Sequence, residues 1–208
     1  MQTVRESRRA KGGWFRKRKY RWLSYVFPRT TLFRVPAKPY HRIVAALAQG
    51  RFADLGCGTG SCAAMYSVAS GNEAVGLDLE ESLLAQARKE ASRFRIPTRY
   101  LRGSVFATPF SDATFDSVYL GQVIEHIHED RVVVREAFRI LKPQGKLLIS
   151  VPRGFSCQTD PPDADGGHVN FYHTENDCRA VLEGLHLHEV EFHEGDNHRF
   201  IMSCRRRA

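Results

Sequence analysis

No stretch of the 208 residues approaches the ~18 consecutive apolar residues that a membrane-crossing helix needs. The nearest, residues 22–35, is broken by Pro28, Arg29 and Arg34. The amino terminus shows no basic, then apolar, then small-residue progression, so no secretory signal peptide is expected. Cysteine is sparse and unpaired in number: Cys57, Cys62, Cys157, Cys178 and Cys204 are scattered. That argues against a disulfide framework and for reduced thiols in a cytoplasmic protein. Internal repeats and low-complexity tracts are missing. Acid is nearly missing from the first 51 residues, which carry 14 Lys/Arg and Glu6 alone, although the whole chain is only +8. The remainder is therefore net acidic. With 42% hydrophobic residues, that remainder can bury the core of one ordinary domain.

The basic stretch reads as an arm over residues 1–39, ahead of a domain over 40–208. Within it, Trp14 to Trp22 interleaves aromatics with cations. Such a segment can clamp phosphates and stack on nucleic-acid bases, or sit at an anionic membrane surface with its rings at headgroup level. A solubilising extension is the plainer alternative. The expected location is cytoplasmic, at a membrane periphery if the arm engages lipid. Ile43, Val44 and Leu47 predict a short helix over Tyr40–Gln49 leading into the domain.

From Gly50 the chain alternates strand and helix. Strands are expected at 51–55, 74–79, 98–102, 115–120 and 146–151, and helices at 61–69, 80–94 and 130–141. Lys142-Pro143-Gln144-Gly145 reads as a turn. Runs such as Leu147-Leu148-Ile149 suit a strand buried on both faces. The predicted fold is α/β, a Rossmann-like and mostly parallel seven-stranded sheet with helices on both faces. A C-terminal antiparallel hairpin (185–192 and 199–204, turning at Asp196-Asn197) completes it. Thr174 to Asp177 predicts a capped helix, and 152–167 a long polar loop.

The chemistry concentrates in Asp54-Leu55-Gly56-Cys57-Gly58-Thr59-Gly60, where a strand hands over to a helix. Glycine there lets a ligand lie against bare backbone. A dinucleotide loop places its third glycine one residue later, where Ser61 stands. Asp54 would repel phosphate and attract an ammonium group. The loop thus suits a ligand with an amino-acid end and a nucleoside but no phosphate. Asp78, 18 residues beyond Gly60, can accept bonds from both ribose hydroxyls or cap the following helix.

These residues resemble the class I S-adenosylmethionine-dependent methyltransferases, over about Phe52 to Val151. Asp54 to Gly60 looks like the family's first motif and Asp78 its ribose acid. Phe110 to Asp116, Val123 to Ile127 and Arg135 to Gly145 resemble its small-molecule branch, which includes quinone-biosynthesis enzymes. The resemblance implies S-adenosylmethionine bound by Asp54, Gly56, Cys57, Gly58, Gly60, Asp78, Leu79, Ser104, Val105 and Gly121. Ser104 replaces the Asp usual beside adenine, and Gln144 stands where glycine is common, a change expected to be harmless. Methyl transfer is an in-line displacement that depends on alignment. A base is needed only when the acceptor loses a proton; His126 is the first candidate, with Glu125 and His168 as alternatives. No metal is expected, because His126-x-His128 and His186-x-His188 lack a third ligand at a recognisable spacing. The expected partner is a small-molecule acceptor. The alternatives are a nucleic-acid methyltransferase using the arm, although no Asn/Asp-Pro-Pro-aromatic motif follows the fourth strand, and a non-catalytic binder of the same cofactor. A nicotinamide-dependent reductase is disfavoured by the glycine spacing and by the lack of any Tyr with Lys four residues later.

Overall fold

The computed structural model describes residues 38–154, 167–194 and 198–208. Nearly all of the basic arm, most of the 152–167 loop with Cys157, and the Asp196-Asn197 turn lie outside the described residues. In chain order the elements are α1 (Pro39–Leu47), β1 (Phe52–Leu55), α2 (Ser61–Ser70), β2 (Ala74–Asp78), α3 (Glu81–Phe94), β3 (Thr98–Arg102) and β4 (Phe115–Gly121). A single 3-10 turn (Ile124–His126), α4 (Asp130–Arg139), β5 (Leu141–Pro152), α5 (Glu175–Ala180), β6 (Leu187–His193) and β7 (Arg199–Arg206) follow. The sheet order is β3-β2-β1-β4-β5-β7-β6, with β7 antiparallel to both neighbours and the rest parallel.

Period-two alternation explains why both faces are covered. Ala53 and Leu55 of β1, Val118 and Leu120 of β4, and Leu147 and Ile149 of β5 pack with Val133, Val134 and Ala137 of α4. The intervening Phe52, Tyr119 and Leu148 pack with α1, α2 and α3 on the opposite side. A strand flanked by two apolar layers must be apolar at every position, as these are. Asp54 falls on the Phe52 face and is buried there.

Helix ends follow local chemistry. Gly71 closes α2 at φ 73, and Thr174 and Asp177 form a reciprocal capping box on α5. One expectation needs correction. Helix α4 stops at Arg139, and Leu141 already pairs with Phe115 of β4. The next pairing is Ser117 with Lys146, so Lys142–Gly145 loops out of β5 rather than preceding it. Within that loop Gln144 has φ 62, the left-handed region. It is therefore not neutral there and costs roughly 1–2 kcal/mol relative to glycine.

Strand order reverses at β1: the chain proceeds from β1 to β2 and β3 on one side, then crosses to β4 on the other. Loops leaving the carboxyl ends of β1 and β4 diverge there and leave a crevice. Leu55 pairs with Leu77 and with Leu120. Gly56, Asp78 and Gly121 consequently share the next rung, at the carboxyl edge.

Candidate cofactor site

A cavity of about 220 Å3 opens at this crevice. Its lining includes Asp54, Gly56, Cys57, Gly58, Thr59, Ser61 and Cys62 from the β1–α2 handover, Tyr119 and Gly121 of β4 with Gln122 just beyond it, and Tyr40 and His41 of α1 with Lys38, its N-cap. The loop is held tightly against β2, since Gly56 and Cys57 both donate to the Leu77 carbonyl (2.7 and 3.0 Å). Gly56, Gly58 and Gly60 all have positive φ, but their surroundings differ. A Cβ on Gly56 would stand 2.4 Å from Val123 Cγ2, and one on Gly60 would stand 2.2 Å from the Tyr100 ring. A Cβ on Gly58 would meet no heavy atom within 4 Å. Two glycines are thus required by packing, and the middle one leaves open space over bare backbone.

Asp54 lies on the cavity floor at 3% exposure, its Oδ2 accepting from the Ala63 amide at 3.1 Å. Gly60, the N-cap of α2, has no side chain to offer the first turn. Asp54 supplies that acceptor from the strand. Burial, reinforced by Asp78 and opposed by the Ala63 bond, pushes its carboxyl up to about 7. Asp78 closes β2. Its Oδ2 accepts from the Gly58 amide (2.7 Å) and its Oδ1 from the Glu80 amide (2.9 Å). It does not cap α3, a task performed by Glu80, whose side chain accepts from the Ser82 amide.

Leu79 projects outward at 59% exposure beside Asp78. The Gly103 amide donates to the Asp78 carbonyl, which brings Ser104 and the buried Val105 toward the same edge. Gly60, Asp78, Leu79, Ser104 and Val105 lie outside the cavity's lining. The Ser104 hydroxyl is turned locally and accepts from the Phe106 amide at 3.2 Å. These features fit S-adenosylmethionine: an open glycine backbone, a carboxylate floor beside a helix N-terminus for an amino-acid end, and a carboxylate at the β2 edge for a ribose.

The α1 contribution was not visible as a site in the sequence. Tyr40 and His41 are carried by the amphipathic helix that the sequence did predict, and nothing in its pattern separates a cavity wall from a core face. Burial, with Lys38 and Arg199 nearby, drives His41 down to about 3, so this wall is a neutral imidazole. Arg199 stacks over the Tyr40 ring at 4.7 Å and its Nε donates to Gln122 Oε1 at 3.3 Å. Cys57 and Cys62 stand as thiols in the lining, and burial pushes both up.

His126 does not line the cavity. It ends the 3-10 turn just after β4, is exposed, and faces His168 edge to face with ring centroids 4.8 Å apart. Glu125 beside it is buried at 1% exposure, and burial pushes its carboxyl up to about 7. The structure thus gathers all three candidate bases in one place, on the turn that follows Gln122 of the cavity lining and the segment packed across it.

The fold and crevice are those of a Rossmann-like α/β domain, with the crevice at the strand-order reversal. Residues 53–149 match the family described as "Methyltransferase domain". A probable S-adenosylmethionine-dependent methyltransferase of Mycolicibacterium smegmatis is 32% identical over 155 residues, 74% of this chain and 56% of that protein. The demethylmenaquinone methyltransferase of Thermus thermophilus is 34% identical over 100 residues, 48% of this chain and 46% of that protein. The YcgJ protein of Bacillus subtilis shares the fold, with a TM-score of 0.67 at 16% identity over 81% of this chain and 98% of that one. The chain spans about half the length of the curated relatives it matches. Over residues 53–149 the chain thus matches a methyltransferase domain, on a fold it shares with YcgJ.

Asp78→Ala is expected to weaken S-adenosylhomocysteine binding roughly tenfold or more, because it removes the carboxylate expected at the ribose and frees the Gly58 amide together. Asp78→Asn keeps one acceptor oxygen and should fall between. Calorimetric titration of the three proteins checks the ranking, and equal affinities would take Asp78 out of the site.

Proposed function

We propose that this chain transfers the methyl group of S-adenosylmethionine to a small-molecule acceptor. The observation that carries the reading is the open backbone at Gly58, lying between a buried Asp54 and an edge-placed Asp78. The cofactor supplies an electrophilic methyl on a sulfonium. The chain's own task is alignment: Gly56 to Gly60 admit the ligand to the crevice, Asp54 and the first turn of α2 orient its amino-acid end, and Asp78 orients its ribose. Leu79, Ser104 and Val105 flank the adenine side.

Relatives named as quinone methyltransferases support an acceptor of similar size and character. His126 is assigned the proton of an acceptor that must lose one, with Glu125 and His168 as the alternatives beside it. Residues 1–39 are proposed to bring the domain to an anionic surface, membrane or nucleic acid. No helix among the described residues is long and apolar enough to cross a membrane.

S-adenosylhomocysteine should raise the melting temperature in a concentration-dependent way while NAD(H) does not. Stabilisation by NAD(H) alone overturns the reading. Incubation with methyl-labelled cofactor and fractionated metabolite extracts should then move label into a small apolar product.

A further inference from the structure

We infer that Glu125, His126 and His168 form a binding site for one divalent transition-metal cation, separate from the glycine cradle. One donor atom from each of the three lies within 4.8 Å of the other two. A tetrahedral ion with bonds of about 2.1 Å holds its ligand atoms about 3.4 Å apart, so the set has to close by little more than about 1 Å to hold one.

A second observation is independent of that proximity. Glu125 is 1% exposed, and apart from the influence of its own backbone amide and of Arg199 neither carboxylate oxygen has a partner among the described residues. Buried carboxylates are normally hydrogen-bonded or paired, because desolvation without compensation costs several kcal/mol. A cation held jointly with the two imidazoles supplies the direct bonds that those two influences leave unmade.

The frame is built as well. The Val169 and Asn170 amides donate to the Glu125 carbonyl at 2.8 and 3.1 Å. Asn170 Nδ2 donates to the Ile124 and Ile127 carbonyls at 3.1 and 2.6 Å. Four bonds therefore clamp the segment carrying His168 across the turn carrying Glu125 and His126.

Arg199 acts electrostatically on Glu125 and opposes any cation there. The site must rely on directed ligand bonds rather than on net negative charge. Two imidazoles and one carboxylate favour Zn2+, Co2+, Fe2+ or Mn2+ over Mg2+ and Ca2+, which prefer all-oxygen ligands. The third ligand, 42 residues from His126, has no local spacing to betray it, which is why the sequence predicts no metal. With the ion bound, His126 is a ligand and not a proton acceptor. An acceptor hydroxyl at an open coordination position would be acidified by the ion instead. That last consequence rests on the methyl-transfer reading; the site itself does not.

The test uses the full chain, treated with chelator and titrated with Co2+, with Mg2+ as reference, by calorimetry and visible absorption. One Co2+ per chain is expected, with ligand-field bands and no thiolate-to-cobalt charge transfer. Glu125→Gln and His168→Gln should each weaken Co2+ at least about tenfold, and His128→Gln should leave it unchanged. Circular dichroism and a retained melting shift with S-adenosylhomocysteine establish that the variants are folded. Unchanged Co2+ affinity in both variants, charge transfer from a thiolate, or Mg2+ binding as tight as Co2+ would overturn the assignment. Failure of wild-type protein to respond to S-adenosylhomocysteine would sink the methyl-transfer reading and leave the metal isotherm standing.

Discussion

Gly58→Ala is expected to fold almost as the wild-type chain does and to bind S-adenosylhomocysteine roughly tenfold to a hundredfold more weakly. The added methyl enters open space, so the folded state bears only the left-handed backbone at φ 52, about 1–2 kcal/mol. A ligand lying on that backbone meets the methyl directly. Gly60→Ala should behave in the opposite manner. Its methyl lands 2.2 Å from a Tyr100 ring that is itself buried and whose hydroxyl donates to the Gly60 carbonyl at 2.9 Å. The ring cannot retreat without losing that bond. Overpacking and backbone strain together cost roughly 2–5 kcal/mol, or a melting temperature lower by about 5–15 °C. Thermal melts and ligand titrations on the two variants separate a binding role from a packing role within one loop. Full affinity in Gly58→Ala would remove the loop from the cofactor site.

The second large effect concerns pH. Asp54 is pushed up to about 7 in the folded protein and returns to about 3.8 when unfolded. Between those values the folded state holds a proton that the unfolded state has released, so stability falls as pH rises. The slope reaches at most about 1.4 kcal/mol per pH unit for this group, roughly 4 kcal/mol in all. Asp54→Asn removes this contribution and keeps an oxygen for the Ala63 amide. Glu125 is also pushed up to about 7 and contributes in the same direction, so the variant should retain part of the slope. Denaturant melts of ligand-free protein from pH 5 to 8 check this; parallel curves for wild type and Asp54→Asn would mean that Asp54 is ionised throughout. A ligand ammonium stabilises the carboxylate form. Affinity for S-adenosylhomocysteine should therefore rise from pH 6 to 8 in wild type, and less in the variant.

Much of this architecture can be read along the chain. The alternation of apolar runs and amphipathic stripes places β1 to β5 and α2 to α4 within a few residues, because each periodicity is set by neighbours two to four positions away. The capping residues Thr174 and Asp177 and the C-terminal glycine Gly71 mark ends by the same local logic. Where local logic competes with pairing, it misleads. Leu141 completes a helical stripe in sequence, but Phe115 of β4 claims it as a strand partner. Gln144 looks innocuous until its φ is known.

The candidate site divides along the same line. Asp54, Gly56, Gly58, Gly60 and Asp78 sit in two short segments whose residue types and spacing already describe a phosphate-free nucleoside ligand with an amino-acid end. The sequence alone determined the fold class, the handover loop and the acid that ends β2. Tertiary structure alone decided that Asp54 would be buried under α2, that Tyr40 and His41 would wall the crevice, and that His168 would cross 42 residues to meet Glu125 and His126. Periodicity and capping are interactions within one or two turns of chain, and so they leave a pattern in the letters. Contacts made by closing long loops depend on strand order and register, and no local stretch encodes those.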